Sequence, residues 1–160
     1  MFRVKWVQVY YFENHYAGEV TMTLKFARLD PNAKAPARKH PADAGVDVYA
    51  LTDAFLWPFS YRNLHTGVTF EIPSGSMLEV RPKGRNNHLI GSGVIDAGYQ
   101  GEIVVKVVNY SWKPMRIHKG DAIAQLVQLP VICETVEESD PASIHAQKSA
   151  RGGTGGIHGQ

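Results

Sequence analysis

Gly93-Val94-Ile95-Asp96-Ala97-Gly98-Tyr99-Gln100-Gly101-Glu102-Ile103 sets Asp96, Tyr99, Gly98 and Gly101 between two apolar runs, with a third glycine, Gly93, ahead of the first. Val94 and Ile95 lead in with strand character. Ala97-Gly98 supplies a turn, and Ile103-Val104-Val105-Lys106-Val107-Val108 leads out as a second strand. The pattern predicts a hairpin with Asp96 and Tyr99 at its tip, where exposed backbone can approach a flat ligand. A carboxylate there can orient a sugar hydroxyl or a water, and a phenol ring can pack on a sugar. An ordinary hairpin with a polar tip satisfies the same pattern, so the segment alone leaves both readings open.

Outward from this stretch, the chain keeps the same style. Val68-Thr69-Phe70-Glu71-Ile72 precedes the turn residues Pro73-Ser74-Gly75, and Met77-Leu78-Glu79-Val80 follows them. Ile123 to Leu129 is another short apolar run. Short strands at this spacing indicate an all-β sandwich or barrel, and no long window carries helical periodicity. At 160 residues the chain is large enough for one domain with a real core.

Composition excludes several classes. The formal charge is +2, and no Lys/Arg run carries interleaved aromatics, so no nucleic-acid partner is expected. No segment approaches the length of a membrane span, and residues 2–20 carry Lys, Glu, Asn and His where a signal peptide would be apolar. Cys133 is the single cysteine; it follows Val131-Ile132 in a strand-like run and is expected to be a buried thiol in a reducing, cytoplasmic setting (the host cell interior, if the source is viral). The seven histidines show no zinc-like spacing with it.

Three regions follow. Residues 1–21 form an N-terminal extension, in which Val4-Lys5-Trp6-Val7-Gln8-Val9-Tyr10 reads as one amphipathic strand. Met22-Thr23-Leu24-Lys25-Phe26-Ala27-Arg28-Leu29 follows it. Two readings stay open: Met22 as the initiator, or an added edge strand before it. Residues 22–136 form the β domain, entered through a Pro/Ala loop over residues 30–43. Residues 137–160 are polar and then glycine-rich, and are expected to be a flexible arm.

The opening stretch resembles the third signature motif of the trimeric deoxyuridine triphosphatases (dUTPases), roughly Gly-Val-Ile-Asp-x-x-Tyr-x-Gly-Glu. Ala44-Gly45-Val46-Asp47-Val48-Tyr49-Ala50 resembles the first motif, and Val80-Arg81-Pro82-Lys83-Gly84-Arg85 occupies the place of the second. Gly120-Asp121-Ala122-Ile123-Ala124-Gln125-Leu126 resembles the fourth, and Arg151-Gly152-Gly153-Thr154-Gly155-Gly156-Ile157 a degraded fifth. The motifs come in family order from Met22 to the C-terminus. The resemblance implies a distorted jelly roll, the dUTPase-like β-clip, assembled as a homotrimer, with dUTP as substrate and Mg²⁺ as cofactor.

It also implies roles. Asp96 orients the attacking water and contacts the sugar 3′-hydroxyl. Tyr99 packs on the deoxyribose and leaves no room for a 2′-hydroxyl. Backbone groups of Gly93, Val94 and Ile95 read uracil. Gln125 holds the water or a phosphate oxygen. Asp47 supports the closed site and its metal environment, through water if at all, because Mg²⁺ rides mostly on the triphosphate. The second motif departs from the family's Pro-Arg-Ser-Gly. Here Lys83 supplies charge without an arginine's fork, Gly84 offers an N–H where the family has a serine, and Arg85 adds a cation, so residues 81, 83 and 85 form a basic cluster. Asn86 to Ser92 is short, as if a helix had been trimmed, and the Ser92 hydroxyl has no assigned use. In the fifth motif Arg151 is kept for the γ-phosphate, and Gly155 and Gly156 supply N–H groups. Ile157 or His158 takes the place of the usual stacking Phe. Two other activities share the fold. A dCTP deaminase would need an acid on the outgoing strand, where Lys106 stands. A non-catalytic, nucleotide-binding or regulatory relative is the alternative that the altered second and fifth motifs leave open.

Overall fold

The computed structural model describes residues 23–140 and Ser143. Among these, eleven strands run in chain order: β1 Lys25–Arg28, β2 Gly45–Tyr49, β3 Ala54–Leu56, β4 Tyr61–His65, β5 Val68–Glu71, β6 Ser76–Arg81, β7 Leu89–Ile90, β8 Gly93–Asp96, β9 Val104–Val108, β10 Met115–Ile117 and β11 Ala122–Pro130. The all-β expectation holds. The apolar runs read from the sequence become β5, β6, β9 and β11. Strands β3, β4, β7 and β10 had no comparable signal. They are two to five residues long, and exposed residues such as Tyr61, Arg62 and Asn63 interrupt their apolar pattern.

Four small sheets result. The largest has the order β2-β11-β6-β8; the others are β4-β9-β7, β1-β5 and β10-β3. All described pairings are antiparallel. Period-two alternation sends Val48 of β2, Leu78 and Val80 of β6, and Ala124 and Leu126 of β11 into one core, and Val46 of β2 is also buried. Val105 and Val107 of β9 reach it from the second sheet, with Leu56, Ile103 and Ile123 also fully enclosed. Gly67 turns β4 into β5 at φ 70°, and a Cβ there would lie 2.8 Å from that of Ala33. Both the dihedral and the close approach therefore require glycine.

Two expectations change. The 93–108 stretch is not a laddered hairpin: β8 pairs with β6, whereas β9 pairs with β4 and β7. Each arm has a better partner elsewhere in the core, so the arms part above the tip. Cys133 is exposed rather than buried, and Val131–Asp140 carries no strand.

The centre of the ladder sets stability. Leu126 is completely buried on β11, between β2 and β6. Leu126→Ala is expected to cost about 2–5 kcal/mol through lost burial and the cavity left behind, read as a lowered urea midpoint.

Candidate active site

The parting of β8 and β9 opens a cleft. Gly93, Val94, Ile95, Asp96 and Tyr99 line one wall, and Ile103, Val104 and Lys106 line the other. Strand β8 is laddered on one edge only among the described residues. In an antiparallel pair every second residue turns its N–H and C=O away from the partner, so the outer edge of β8 offers alternating donors and acceptors to the cleft. Opposite it, the β7 ladder ends where the Gly91 N–H donates to the Lys106 carbonyl at 2.8 Å.

The tip is held rigidly from below. The Tyr99 N–H donates to the Asp96 carbonyl at 3.0 Å, closing the turn. The Tyr99 hydroxyl donates to the Glu102 carbonyl at 2.9 Å, which lays the ring along the tip. Gly101 makes room for that ring, since a Cβ there would fall 2.5 Å from the hydroxyl oxygen. Glu102 then ties the tip to the β4–β5 turn. Its Oε1 accepts the Gly67 N–H at 2.7 Å, and its Oε2 lies 2.7 Å from His65 Nδ1. The Thr66 hydroxyl donates to the Ile103 carbonyl at 2.6 Å just beyond. Burial pushes the Glu102 carboxyl up, but the hydrogen bonds from His65 and the Gly67 and Thr66 backbone outweigh it and hold it below the usual carboxylate range. Sequence reasoning quoted Glu102 as part of the motif and gave it no role. Asp96 projects exposed beside this braced tip, and no side chain among the described residues bonds its carboxylate.

A second group forms on the outer face of the large sheet. Asp47 on β2 stands opposite Gln125 on β11, and Gln125 stands opposite Arg81 on β6, so one row crosses three strands. Facing residues of a ladder share a face, and residues from the first, second and fourth motifs are thereby brought side by side. Within the row the polar groups are already engaged. The Lys83 ammonium is ion-paired with Asp47 in a half-buried position. Gln125 Nε2 donates to the Pro82 carbonyl at 2.9 Å, and Gly45 leaves the space that the Gln125 side chain fills. Arg81 pairs with Glu79 at 2.8 Å. The expected basic cluster is thus partly neutralised, with Asp47 and Glu79 against Arg81 and Lys83. Gly84 has nothing within 4 Å of a Cβ position, and Arg85 is exposed. No helix occurs between β6 and β7. That short connection is pinned instead: Asn86 Nδ2 donates to the Ala122 carbonyl at 3.0 Å, and His88 Nε2 lies 3.1 Å from the Ile123 carbonyl. The Ser92 hydroxyl donates to the Val80 carbonyl at 3.2 Å.

One chain does not bring the two groups together. Asp96 faces Met77 at one end of β6, whereas Gln125 faces Arg81 at the other. Four residues of strand separate those positions by about 13 Å. Arg151, Gly155, Gly156, Ile157 and His158 lie outside the described residues, as does the extension before Thr23. Among the described residues no three or more His, Cys, Asp or Glu converge as metal ligands, and no helix is long and apolar enough to cross a membrane.

Comparison with known proteins places the fold in a family. A family profile for dUTPase matches residues 31–156. The deoxyuridine 5′-triphosphate nucleotidohydrolase of Mycobacterium tuberculosis is 38% identical over 150 residues, covering 88% of this chain and 97% of that protein. The same enzyme of Mycobacterium leprae is 36% identical over the same span. Among solved structures, a Gly-to-Ser variant of the dUTPase of Staphylococcus bacteriophage 80alpha with dUpNHpp superposes with a TM-score of 0.74 at 25% identity, covering 84% of this chain and 96% of that one. An Asp-to-Asn variant of the dUTPase from phage phi11 of S. aureus, which coordinates a structural Mg(II) ion, superposes at 0.68 with 24% identity, covering 74% and 97%.

The Glu102 brace has a defined pH signature. Its carboxyl is lowered in the folded protein, so on acidification the unfolded chain takes up the proton first. The stabilisation is fully present above the ordinary carboxylate value, near 4.3, and is lost as pH falls through the lowered folded value. Glu102→Gln is expected to be less stable than the native chain at pH 7, and the gap should narrow below about pH 4 in urea titrations. A gap that does not change with pH would mean that the brace does not depend on charge.

Proposed function

The chain belongs to the dUTPase family, and from that premise we propose that it hydrolyses dUTP to dUMP and pyrophosphate by attack of an oriented water on the α-phosphorus. The observation that carries the reading is the open, rigidly braced cleft with an unengaged Asp96 at its rim. The base enters edge-on against the outer backbone of β8, so Gly93, Val94 and Ile95 recognise uracil through N–H and C=O groups rather than side chains. The Tyr99 ring, fixed by its bond to the Glu102 carbonyl, packs on the deoxyribose and fills the space a 2′-hydroxyl would need. Asp96 accepts the 3′-hydroxyl and orients the water. Positioning and electrostatics supply most of the rate enhancement in phosphoryl chemistry.

The row across the large sheet serves the triphosphate. Asp47 and Gln125 act here chiefly on the chain itself: one holds Lys83, the other the Pro82 carbonyl. Together they present the Gly84 N–H and the Arg85 guanidinium just past the end of β6. Asp47, paired here with Lys83, would support the bound metal through water. Mg²⁺, when bound, neutralises triphosphate oxygens. This hard ion takes few direct protein ligands and rides mostly on the substrate's phosphates and waters. The family pattern assigns Arg151 and the glycines after it to the phosphates as well. Activity on the dUTP pool goes with a cytoplasmic setting.

A homotrimer completes this site. The roughly 13 Å between Asp96 and the Asp47–Gln125–Arg81 row calls for the cleft of one copy to meet the 81–85 segment of another. The outer face of the large sheet supplies apolar surface for that contact, where Met77 faces Leu129 and where Val127 and Val94 flank Glu79. Closed cyclic symmetry is the usual solution.

Asp96→Asn is expected to keep binding of a non-hydrolysable dUTP analogue and to lose roughly 10²- to 10⁴-fold in turnover, measured as pyrophosphate release. Unchanged turnover would reduce Asp96 to a turn-former. Light scattering is expected to give three times the chain mass, and a stable monomer that still hydrolyses dUTP would overturn the shared site.

A further inference from the structure

The turns joining β3 to β4 and β9 to β10 carry an aromatic, basic surface that lines no part of the nucleotide cleft. Phe55 and Trp57 meet edge to face with centroids 5.0 Å apart, and Phe59 and Trp112 do so at 4.5 Å. Trp57 is 66% exposed and Trp112 85% exposed. Those values leave most of each indole facing water.

The display is built rather than incidental. Asn109 is fully buried between the two turns. Its Nδ2 donates to the carbonyls of Trp57 at 3.1 Å and Lys113 at 2.8 Å, and its Oδ1 accepts the Ser111 N–H at 3.0 Å. Phe59 holds a left-handed φ of 54°. That conformation costs on the order of 1 kcal/mol in a residue with a Cβ, and it sets the ring beside Trp112. Rings fixed in this way lose little entropy when a flat partner stacks on them.

Charge accompanies the rings. Arg62 and Arg116 line one groove with Phe55, and the Arg116 guanidinium lies 6.0 Å from the Phe55 centroid. Lys113 follows Trp112 directly. No carboxylate pairs with Arg62, Lys113 or Arg116 among the described residues. Asp53 is the acid in the groove, and its Oδ1 is occupied by the Lys119 N–H at 2.7 Å.

We propose that this surface binds single-stranded nucleic acid, with unpaired bases stacking on Trp57 and Trp112 and phosphates held by Arg62, Lys113 and Arg116. Exposed rings beside unpaired cations match a flexible polyanion that offers flat bases. The paired bases of a duplex hide those faces. The sequence expectation of no nucleic-acid partner rested on the nearly balanced charge of +2 and on the lack of a linear basic-aromatic run; the fold gathers such a set locally from residues 55 to 116.

The test uses the full chain and fluorescein-labelled dT₂₀ in fluorescence anisotropy at low salt, about 50 mM. Binding is expected, with a blunt duplex of equal length at least tenfold weaker. Trp57→Ala and Trp112→Ala should each weaken dT₂₀ roughly 5- to 100-fold, and Trp112→Phe should restore much of the loss. Arg62→Ala with Arg116→Ala should lower the salt slope by about 0.7 per phosphate contact removed. All variants should hydrolyse dUTP at the native rate, which shows that they are folded. The proposal is overturned by absence of binding, by affinity indifferent to both tryptophans, or by displacement of dT₂₀ with excess dUTP analogue. A fall in assembly mass in the tryptophan variants would also overturn it, in favour of contact between copies of the chain.

Discussion

Strand β8 forms its ladder with β6, and β9 forms its ladder with β4 and β7. The site depends on that division. Had the two arms paired with each other, the backbone edge of β8 would be satisfied and the cleft closed. Because each arm is committed to a different sheet, the intervening tip spans a gap whose walls present main-chain groups. A gap of this kind would collapse without support from beneath. Glu102 gives that support through Gly67 and His65, and Thr66 and Ile103 extend it into the core. The carboxylate therefore acts through geometry: it keeps the Tyr99 ring and the Asp96 carboxylate in fixed relation to the β8 edge.

The row on the large sheet shows a different use of charge. Lys83 and Arg81 look like free phosphate ligands when read along the chain, yet each has an acid beside it. Partial burial favours such pairing, because an unpaired ammonium among half-buried neighbours loses hydration without compensation. The result is a second-motif segment held in place by Asp47 and Gln125, with Gly84 and Arg85 left open. A missing serine and a shortened connection are thus accompanied by anchors from Asn86 and His88. The aromatic turns follow the same logic from the opposite direction. A buried, fully bonded Asn109 holds apolar rings in water, and a fold that spends a buried amide on displaying tryptophans has a surface suited to contact.

The sequence by itself determined the class of the fold and the family. Period-two alternation in β2, β6, β9 and β11 is written into their residues, since one face of each must enter the core. The motif order places Asp47, Asp96, Tyr99 and Gln125 at sites of interest without any coordinates. Tertiary structure alone decided which strands pair. Pairing depends on competition among edges, and residues 93–108 read as a hairpin because local turn chemistry cannot reveal that β6 and β4 are better partners. It alone showed that Asp47, Gln125 and Arg81 share a row, that Lys83 is neutralised, and that Glu102 is a brace. Each of these contacts joins positions 35 to 78 residues apart. Burial likewise escaped local reading: the apolar neighbours of Cys133 suggested an enclosed thiol, but a side chain is enclosed only where another element covers it, and no strand forms there.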